Sequence, residues 1–376
     1  MKKVRTVCGD IAPERLGTTM IHEHVAINLS PVTAGSRTFF PQIKDEQLTL
    51  ENRNLKFLQS GAWSMAPEVM DTSGDDYLKF IVNELKEYKA VGGEALCECS
   101  VYGILGRPYE DLVRASEESG VNIVYGVGMY RDSVRPAKFQ GKSEDEIKTL
   151  FEADIDNGFE ETGIKPGFLK ATFSGLADGR LPFPGEMDVF RAVARISAER
   201  GMPMMVHLEV PPLSGDQILG FAELAIALGA DPKKVLFCHA QSLVTSPDGR
   251  PEMIADVIKS HQPRFSIEPH QRLLDLGINI SFDSFGNQAV QPFELGGANV
   301  VSEYLELSAV YELLKLGYEG QIMLGHDFCC KLSAKAYGGY GYTRVPTFVC
   351  DMLGQLGFAD AAHRMITTNP AEFLAF

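Results

Sequence analysis

Residues able to do chemistry gather first in "TMIHEHVAIN", residues 19–28, where an apolar run carries His22, Glu23 and His24 in succession. In a β-strand, side chains alternate faces, so His22 and His24 converge on one spot while Glu23 points away. Two imidazoles placed this way can be satisfied by neighbouring carbonyls or can hold a metal ion. The rest of the chain favours the metal. Lys170, His207, His239, His326 and Asp327 all fall at the ends of later apolar runs, and five of the eight histidines lie in such runs. His261, His270 and His363 read as loop or helix-surface residues.

A His/Asp set suits zinc or a similar divalent ion, which takes imidazole nitrogen and carboxylate oxygen at about 2.0 to 2.2 Å. Lys170 is the exception, because an ammonium group repels a metal. Flanked by Phe168, Leu169 and Phe173, however, its amine would be partly desolvated, which favours the neutral, nucleophilic form. A neutral amine can add carbon dioxide and become a carbamate. That anion has two oxygens, enough to bridge two metals.

Eight short apolar runs must position these groups: "TMIHEHV", "EALCECS", "NIVYGVG", "GFLKATF", "PMMVHLE", "VLFCHAQ", "NISFDSF" and "QIMLGHD". Helical periodicity lies between them, over 75–90 (Leu78, Ile81, Val82, Leu85), 187–199, 217–229, 304–315 and 345–356. Strands alternating with helices predict a parallel sheet closed as a (β/α)8 barrel, which presents its active face at the C-terminal ends of its strands. An open doubly wound sheet is the alternative, but neither G-x-G-x-x-G nor G-x-S-x-G occurs. Residues 1–17 read as a short N-terminal β-hairpin, and no linker or repeat divides the single domain 1–376. The long connection 29–74 carries Phe39, Phe40, Phe57 and the lone Trp63, and is expected either to cover the barrel mouth or to pack on a neighbouring subunit.

Composition fits an ordinary globular protein: 376 residues, 45% hydrophobic and 23% charged. A net charge of −15 and a pI near 5.0 argue against nucleic acid or anionic membrane as partners. No signal peptide or membrane-spanning run is read, so a cytoplasmic protein acting on a small molecule is expected. The seven cysteines (8, 97, 99, 238, 329, 330 and 350) form no C-x-x-C pair and suggest neither a disulfide framework nor a structural zinc site.

"IHEHV", "GFLKATFSG", "GMPMMVHLE", "VLFCHAQ" and "IMLGHDF", followed by the closing "MITTNPAEFLAF", together resemble the phosphotriesterase-like branch of the amidohydrolase superfamily, in family order across nearly the whole chain. The resemblance implies two divalent metal ions, zinc foremost with manganese or cobalt as alternatives. By it, His22, His24 and Asp327 would hold the buried ion, His207 and His239 the more exposed one, and Lys170, carbamylated by CO2, would bridge them together with a hydroxide. It also implies a homodimer. The implied reaction is hydrolysis by the bridging hydroxide, with Asp327 and the Lys170 carbamate as catalytic groups and Asp327 moving the proton.

Candidate substrate-binding residues are Tyr102 and Arg107 after the second run, Tyr130 and Arg131 after the third, and Lys331 in the eighth loop, where Tyr337, Tyr340 and Arg344 also lie. These loops can equally be read as packed irregular structure. The family's organophosphate-degrading members carry an aspartate three residues after the sixth-run histidine and a histidine just after the seventh-run aspartate. Here those positions are Ser242 and Ser284, beside a retained Asp283. Acyl-homoserine lactonases of the family often have arginine where Ser284 stands. The expected substrate is therefore a lactone or carboxylic ester, with an organophosphate triester or an amide as the alternative. A mononuclear deaminase-like site and a non-enzymatic small-molecule binding protein are further readings.

Overall fold

Along Phe168–Phe173, Leu169, Ala171 and Phe173 pack outward against helices, while Phe168, Lys170 and Thr172 face the interior. The same period of two recurs along the other strands of the sheet, except in the first barrel strand, where a register irregularity between Met20 and Glu23 lets the neighbours Ile21 and His22 both face inward. The computed structural model describes residues 2–31, 41–59, 62–71, 74–175, 182–208, 214–244, 258–260, 265–287 and 303–376. A hairpin of β1 (Val4–Thr6) and β2 (Gly9–Ile11) precedes eight strands, β3 (Thr19–Glu23), β4 (Ala95–Glu98), β5 (Asn122–Gly128), β6 (Phe168–Phe173), β7 (Met204–Leu208), β8 (Val235–Phe237), β9 (Asn279–Phe282) and β10 (Ile322–Leu324). Consecutive strands pair in parallel from β3 to β10, as a (β/α)8 barrel requires. All eight apolar runs thus contain a strand.

Long helices follow the strands, including Asp75–Ala90, Pro184–Arg200, Gly215–Ala227 and Glu303–Lys315, each overlapping a periodic segment. The segment 345–356 divides into a π-helical turn, Val345–Val349, and an α-helix, Cys350–Gln355. Among the described residues no helix is long and apolar enough to cross a membrane.

The barrel closes where β10 meets β3, and Glu23 makes much of that join. Its carboxylate accepts from the backbone N–H of His326 (2.8 Å) and of Phe328 (3.2 Å), while the Asp327 N–H donates to the His22 carbonyl (3.1 Å). Gly325 permits the approach, since a Cβ there would lie 3.0 Å from the His22 carbonyl oxygen. Burial raises the Glu23 carboxyl above its usual range although the neighbouring His326 works the other way.

Inside the barrel, Ile21, Cys97, Val124, Phe168, Met205, Leu236, Cys238 and Met323 form an apolar floor, sealed from below by Phe373 and Leu374 of the closing helix Thr368–Leu374. The interior cysteines act as small hydrophobic groups, and none of the seven is in a disulfide. Polar ligand-type residues sit above this floor.

The described part of the long connection is not structureless. Residues 41–59 and 62–71 contain short helices whose Leu48, Leu58, Met65, Val69 and Met70 share a buried cluster with Val101, Ile104, Tyr130, Cys330 and Leu332. Those last five follow β4, β5 and β10 directly, so the described part of the connection caps the C-terminal mouth of the barrel. Phe39 and Phe40 lie outside the described residues.

Candidate metal centre

Two of the candidate ligands occupy backbone that most side chains avoid: His239 (φ 61°) and Asp327 (φ 50°) are left-handed. Both stand just beyond the end of their strand, where the chain leaves the ladder and a polar side chain can turn over the barrel mouth. His24 likewise follows β3, whereas His22, Lys170 and His207 lie within strands.

The side chains converge. His22 Nε2 lies 3.1 Å from Lys170 Nζ and 3.9 Å from an Asp327 carboxylate oxygen, and the same oxygen is 3.2 Å from His24 Nε2. His239 Nε2 and His207 Nδ1 approach to 2.7 Å. Ligand atoms of His22, His207 and His239 all fall within 4.8 Å of one another, as do those of His22, His24 and Asp327. His22 belongs to both groups. All six residues of the expected ligand set therefore meet at one place.

The donor set fits divalent metal ions. A metal-ligating imidazole normally gives its second ring nitrogen to an oxygen. Here His239 Nδ1 donates to Asp283 (2.7 Å), His24 Nδ1 meets Ser100 Oγ (2.9 Å), and His22 Nδ1 lies 3.1 Å from Asp283. The nitrogens left over face inward, toward the other candidate ligands. Thr172 Oγ1 and Ser242 Oγ, buried close to these ligands in sequence and register, lack a hydrogen-bond partner. Four imidazoles and a carboxylate suit zinc and neighbouring transition ions better than calcium or magnesium. The Lys170 amine, almost fully buried, also donates to the Cys99 carbonyl at 3.2 Å.

A third grouping, His22, Cys238 and Asp283, is also close enough for a metal. Its aspartate is already filled: Asp283 accepts from the His239 backbone and ring, Gln241 Nε2 (3.1 Å) and Ser281 Oγ (2.6 Å).

Electrostatics follow from burial and pairing. Burial, reinforced by the Lys170 charge, pushes the His22 imidazole down to about 3 despite Asp283. Burial and His239 lower His207 in the same direction. For His239 and His24 burial is outweighed, by Asp283 in one case and by Asp327 and Glu98 in the other, and both imidazoles are raised. Burial opposes ionisation of Asp283 and Asp327, but the surrounding histidines hold both carboxyls well below the usual range.

Three comparisons with known proteins agree with such a barrel. The family model described as "Phosphotriesterase family" matches residues 2–255 and 254–374. The chain belongs to the phosphotriesterase family. This is a family of metal-dependent hydrolases. Among curated relatives, N-acetyltaurine hydrolase of Homo sapiens is 26% identical over 377 residues, spanning 100% of this chain and 98% of the relative. A phosphotriesterase-related protein of Nematostella vectensis is 24% identical over 99% of this chain and 98% of its own length. A resiniferatoxin-binding protein from Rhodobacter sphaeroides shares the fold with a TM-score of 0.77 at 24% identity, covering 99% of this chain and 94% of that one. A mutant PTE-like lactonase from Deinococcus radiodurans gives 0.71 at 22% identity, covering 99% of each.

The remaining sequence candidates divide. Tyr130 stands edge-on to His207, ring centroids 5.2 Å apart, and the Arg131 guanidinium lies 5.1 Å over the Tyr130 ring. Tyr102 is not brought to the ligands: its hydroxyl bonds Asp154 (2.8 Å) and Lys138 (2.6 Å) within an aromatic cluster of Phe139, Phe151 and Phe159. Arg107 is tied to Asp111 and the Gly74 carbonyl, and Lys331 to the Glu68 carbonyl of the cap. These three stabilise loops. In the eighth loop Arg344 pairs with Glu303.

His326 is turned away too, with Nδ1 on Glu23 (2.7 Å) and Nε2 accepting the Val345 N–H (3.0 Å). His270, expected at the surface, is fully buried in the helix Glu268–Asp275 and donates to the Ala240 carbonyl at 2.8 Å. His363 is exposed on a helix, and His261 lies outside the described residues. Sequence reasoning missed Glu98, which accepts from the N–H groups of Val25, Ala26 (3.1 Å) and Ser100 (2.6 Å) and so shapes the backbone after His24. An acid inside the apolar "EALCECS" was the available signal.

Proposed function

We propose that this chain hydrolyses a lactone or carboxylic ester in preference to a phosphotriester. One observation carries the reading: Asp327 is partly open to solvent, its side chain 22% exposed, whereas Asp283 is fully buried and surrounded by donors. Asp327 is therefore the carboxylate able to take a proton from an attacking water and return it to a leaving group. The Ser284 hydroxyl, at the position where the organophosphate-degrading relatives carry their relay histidine, donates instead to Glu306 (2.7 Å) on an outer helix. A lactone keeps its leaving alkoxide tethered beside Asp327 and needs no relay.

Divalent ions held by His22, His24, His207, His239 and Asp327 would supply Lewis acidity and a water of lowered pKa. Zinc is our reading for these ions, with manganese or cobalt as alternatives, and Lys170 as a carbamate is our reading for the bridging group. Tyr130 forms one wall beside His207, and the cap on the mouth limits water around the substrate.

Amide hydrolysis is the second reading, supported by the whole-length similarity to N-acetyltaurine hydrolases. With a net charge of −15 the protein offers anions no general attraction, so an anionic tail would need a local cation, and Arg131 on Tyr130 is the one we assign.

The deciding experiment compares kcat/KM of metal-reconstituted protein on lactones, esters, N-acyl amides including N-acetyltaurine, and an aryl phosphotriester. The best lactone or ester is expected to exceed the phosphotriester by roughly tenfold, about 1.4 kcal/mol in transition-state binding. An equal or better phosphotriester overturns the acyl reading. A winning amide that loses its advantage in Arg131→Ala selects the second.

A further inference from the structure

Asp327 adopts its left-handed conformation without the freedom of glycine, a cost of roughly 1–2 kcal/mol that surrounding contacts must hold in place. The contacts are specific. On one side the Asp327 N–H donates to the His22 carbonyl. On the other, the two hydrogens of a single side-chain amide, Asn287 Nδ2, go to the carbonyls of His326 (2.9 Å) and Asp327 (2.8 Å). Both peptide groups flanking the Asp327 Cα are therefore pinned.

Asn287 is itself oriented. Its Oδ1 accepts from Ser333 Oγ (3.0 Å), which fixes which end of the amide faces the carbonyls, and its N–H donates to the Ser284 carbonyl (3.0 Å). The turn that carries it is anchored from behind by two buried acids. Glu306 accepts from Ser284 N–H and Oγ, and Glu303, held by Arg344, accepts from Gly286 N–H (3.0 Å).

We propose that Asn287 is a positioning residue for Asp327: by clipping two successive carbonyls it fixes the left-handed backbone that aims the Asp327 carboxylate at His24 and His22. Without the clip, φ at 327 relaxes to negative values and the carboxylate swings from its place 3.2 Å from His24 Nε2. This rests on the reading of Asp327 as a metal ligand, and the test separates the two ideas.

The test uses Asn287→Ala and Ser333→Ala in the full chain, reconstituted with Co2+ alone and compared with wild type. Expected for Asn287→Ala are a weaker affinity for one Co2+ by about 10- to 100-fold, as for other groups that orient a ligand, an altered visible Co2+ spectrum, and a fall in kcat with KM little changed. A crystal structure of metal-free Asn287→Ala should show Asp327 with negative φ. An unchanged φ and spectrum overturn the proposal. Wild type that binds no Co2+ while Asn287→Ala still shifts φ overturns the metal reading and leaves the clip intact. Should Asn287→Ala fail to fold, Ser333→Ala decides: a weaker change in the same direction supports the clip, and wild-type Co2+ binding and spectrum refute it.

Discussion

The carboxylate of Asp283 accepts both the backbone N–H of His239, 3.1 Å from each oxygen, and its ring Nδ1–H at 2.7 Å. One acid thereby fixes the left-handed backbone of a candidate ligand and the tautomer of its ring. The same carboxylate lies 3.1 Å from His22 Nδ1, so rings from both candidate metal groups are oriented by one residue. Asp283→Asn replaces one accepting oxygen with a donor that faces N–H groups. Metal affinity should fall by about 10- to 100-fold, and stability by about 1–3 kcal/mol from the unsatisfied donors. Elemental analysis after dialysis against graded chelator, with urea unfolding of the metal-free protein, measures both; full metal retention would show that Asp283 does not orient the ligands.

Glu306 gives a pH signature in stability. Fully buried, it is pushed by desolvation from 4.5 to about 8, with Ser284 as its hydrogen-bond donor. Its folded value lies above its unfolded one, so between pH 4.5 and about 8 the folded state binds more protons than the unfolded. The contribution of this carboxyl to stability is thus present at low pH and lost as pH rises through that window. Glu306→Gln, neutral at every pH, should remove this loss, so that its urea midpoint relative to wild type improves from pH 5 to 9. A parallel pH dependence in the two proteins would count against a buried, protonated Glu306.

The cap gives a different kind of test, because its buried cluster is separate from the cores inside and outside the barrel. Leu58 is fully buried there against residues that follow the barrel strands. Leu58→Ala should cost roughly 2–5 kcal/mol of cap stability. Amide exchange should accelerate over residues 41–59 and 62–71 while the strands stay protected, and KM should rise more than kcat falls. Uniform acceleration across the barrel would mean that the cap is part of one cooperative unit.

The strands, and the clustering of the candidate ligands, were legible in the sequence because both follow short periods. Each apolar run contains a strand, and the His-x-His spacing brings two imidazoles to 5.6 Å, although β3 has a register irregularity between Met20 and Glu23 and His24 lies just past its end. Runs overstated the strands where ligands lie: "VLFCHAQ" is strand only over Val235–Phe237, since His239 must leave the ladder to reach His207. His270 reads as a surface residue, yet it shares one buried helix face with Leu273 and Leu274, a spacing visible in the sequence. His326 stands next to Asp327 in sequence, but its partners Glu23 and Val345 come from distant elements. The Asn287 clip, joining the turns after β9 and β10, has no sequence signature.

Lys170 provides the most direct test of the paired-metal reading. Its amine contacts His22 Nε2 and the Cys99 carbonyl in an almost fully buried position, where an ammonium group would repel any ion bound beside it. Reaction of the neutral amine with carbon dioxide forms an N–C bond, releases one proton and leaves an anion with two oxygens where the amine stood. Metal uptake by the metal-free protein should therefore be slow in CO2-depleted buffer and accelerate with added bicarbonate. Lys170→Ala should lose both metal binding and turnover, and a short carboxylate such as acetate or formate should restore part of each by occupying the vacated space. Lys170→Ala with full metal content, or uptake indifferent to bicarbonate, would sink the carbamate and leave Lys170 a buried amine held by His22 and Cys99.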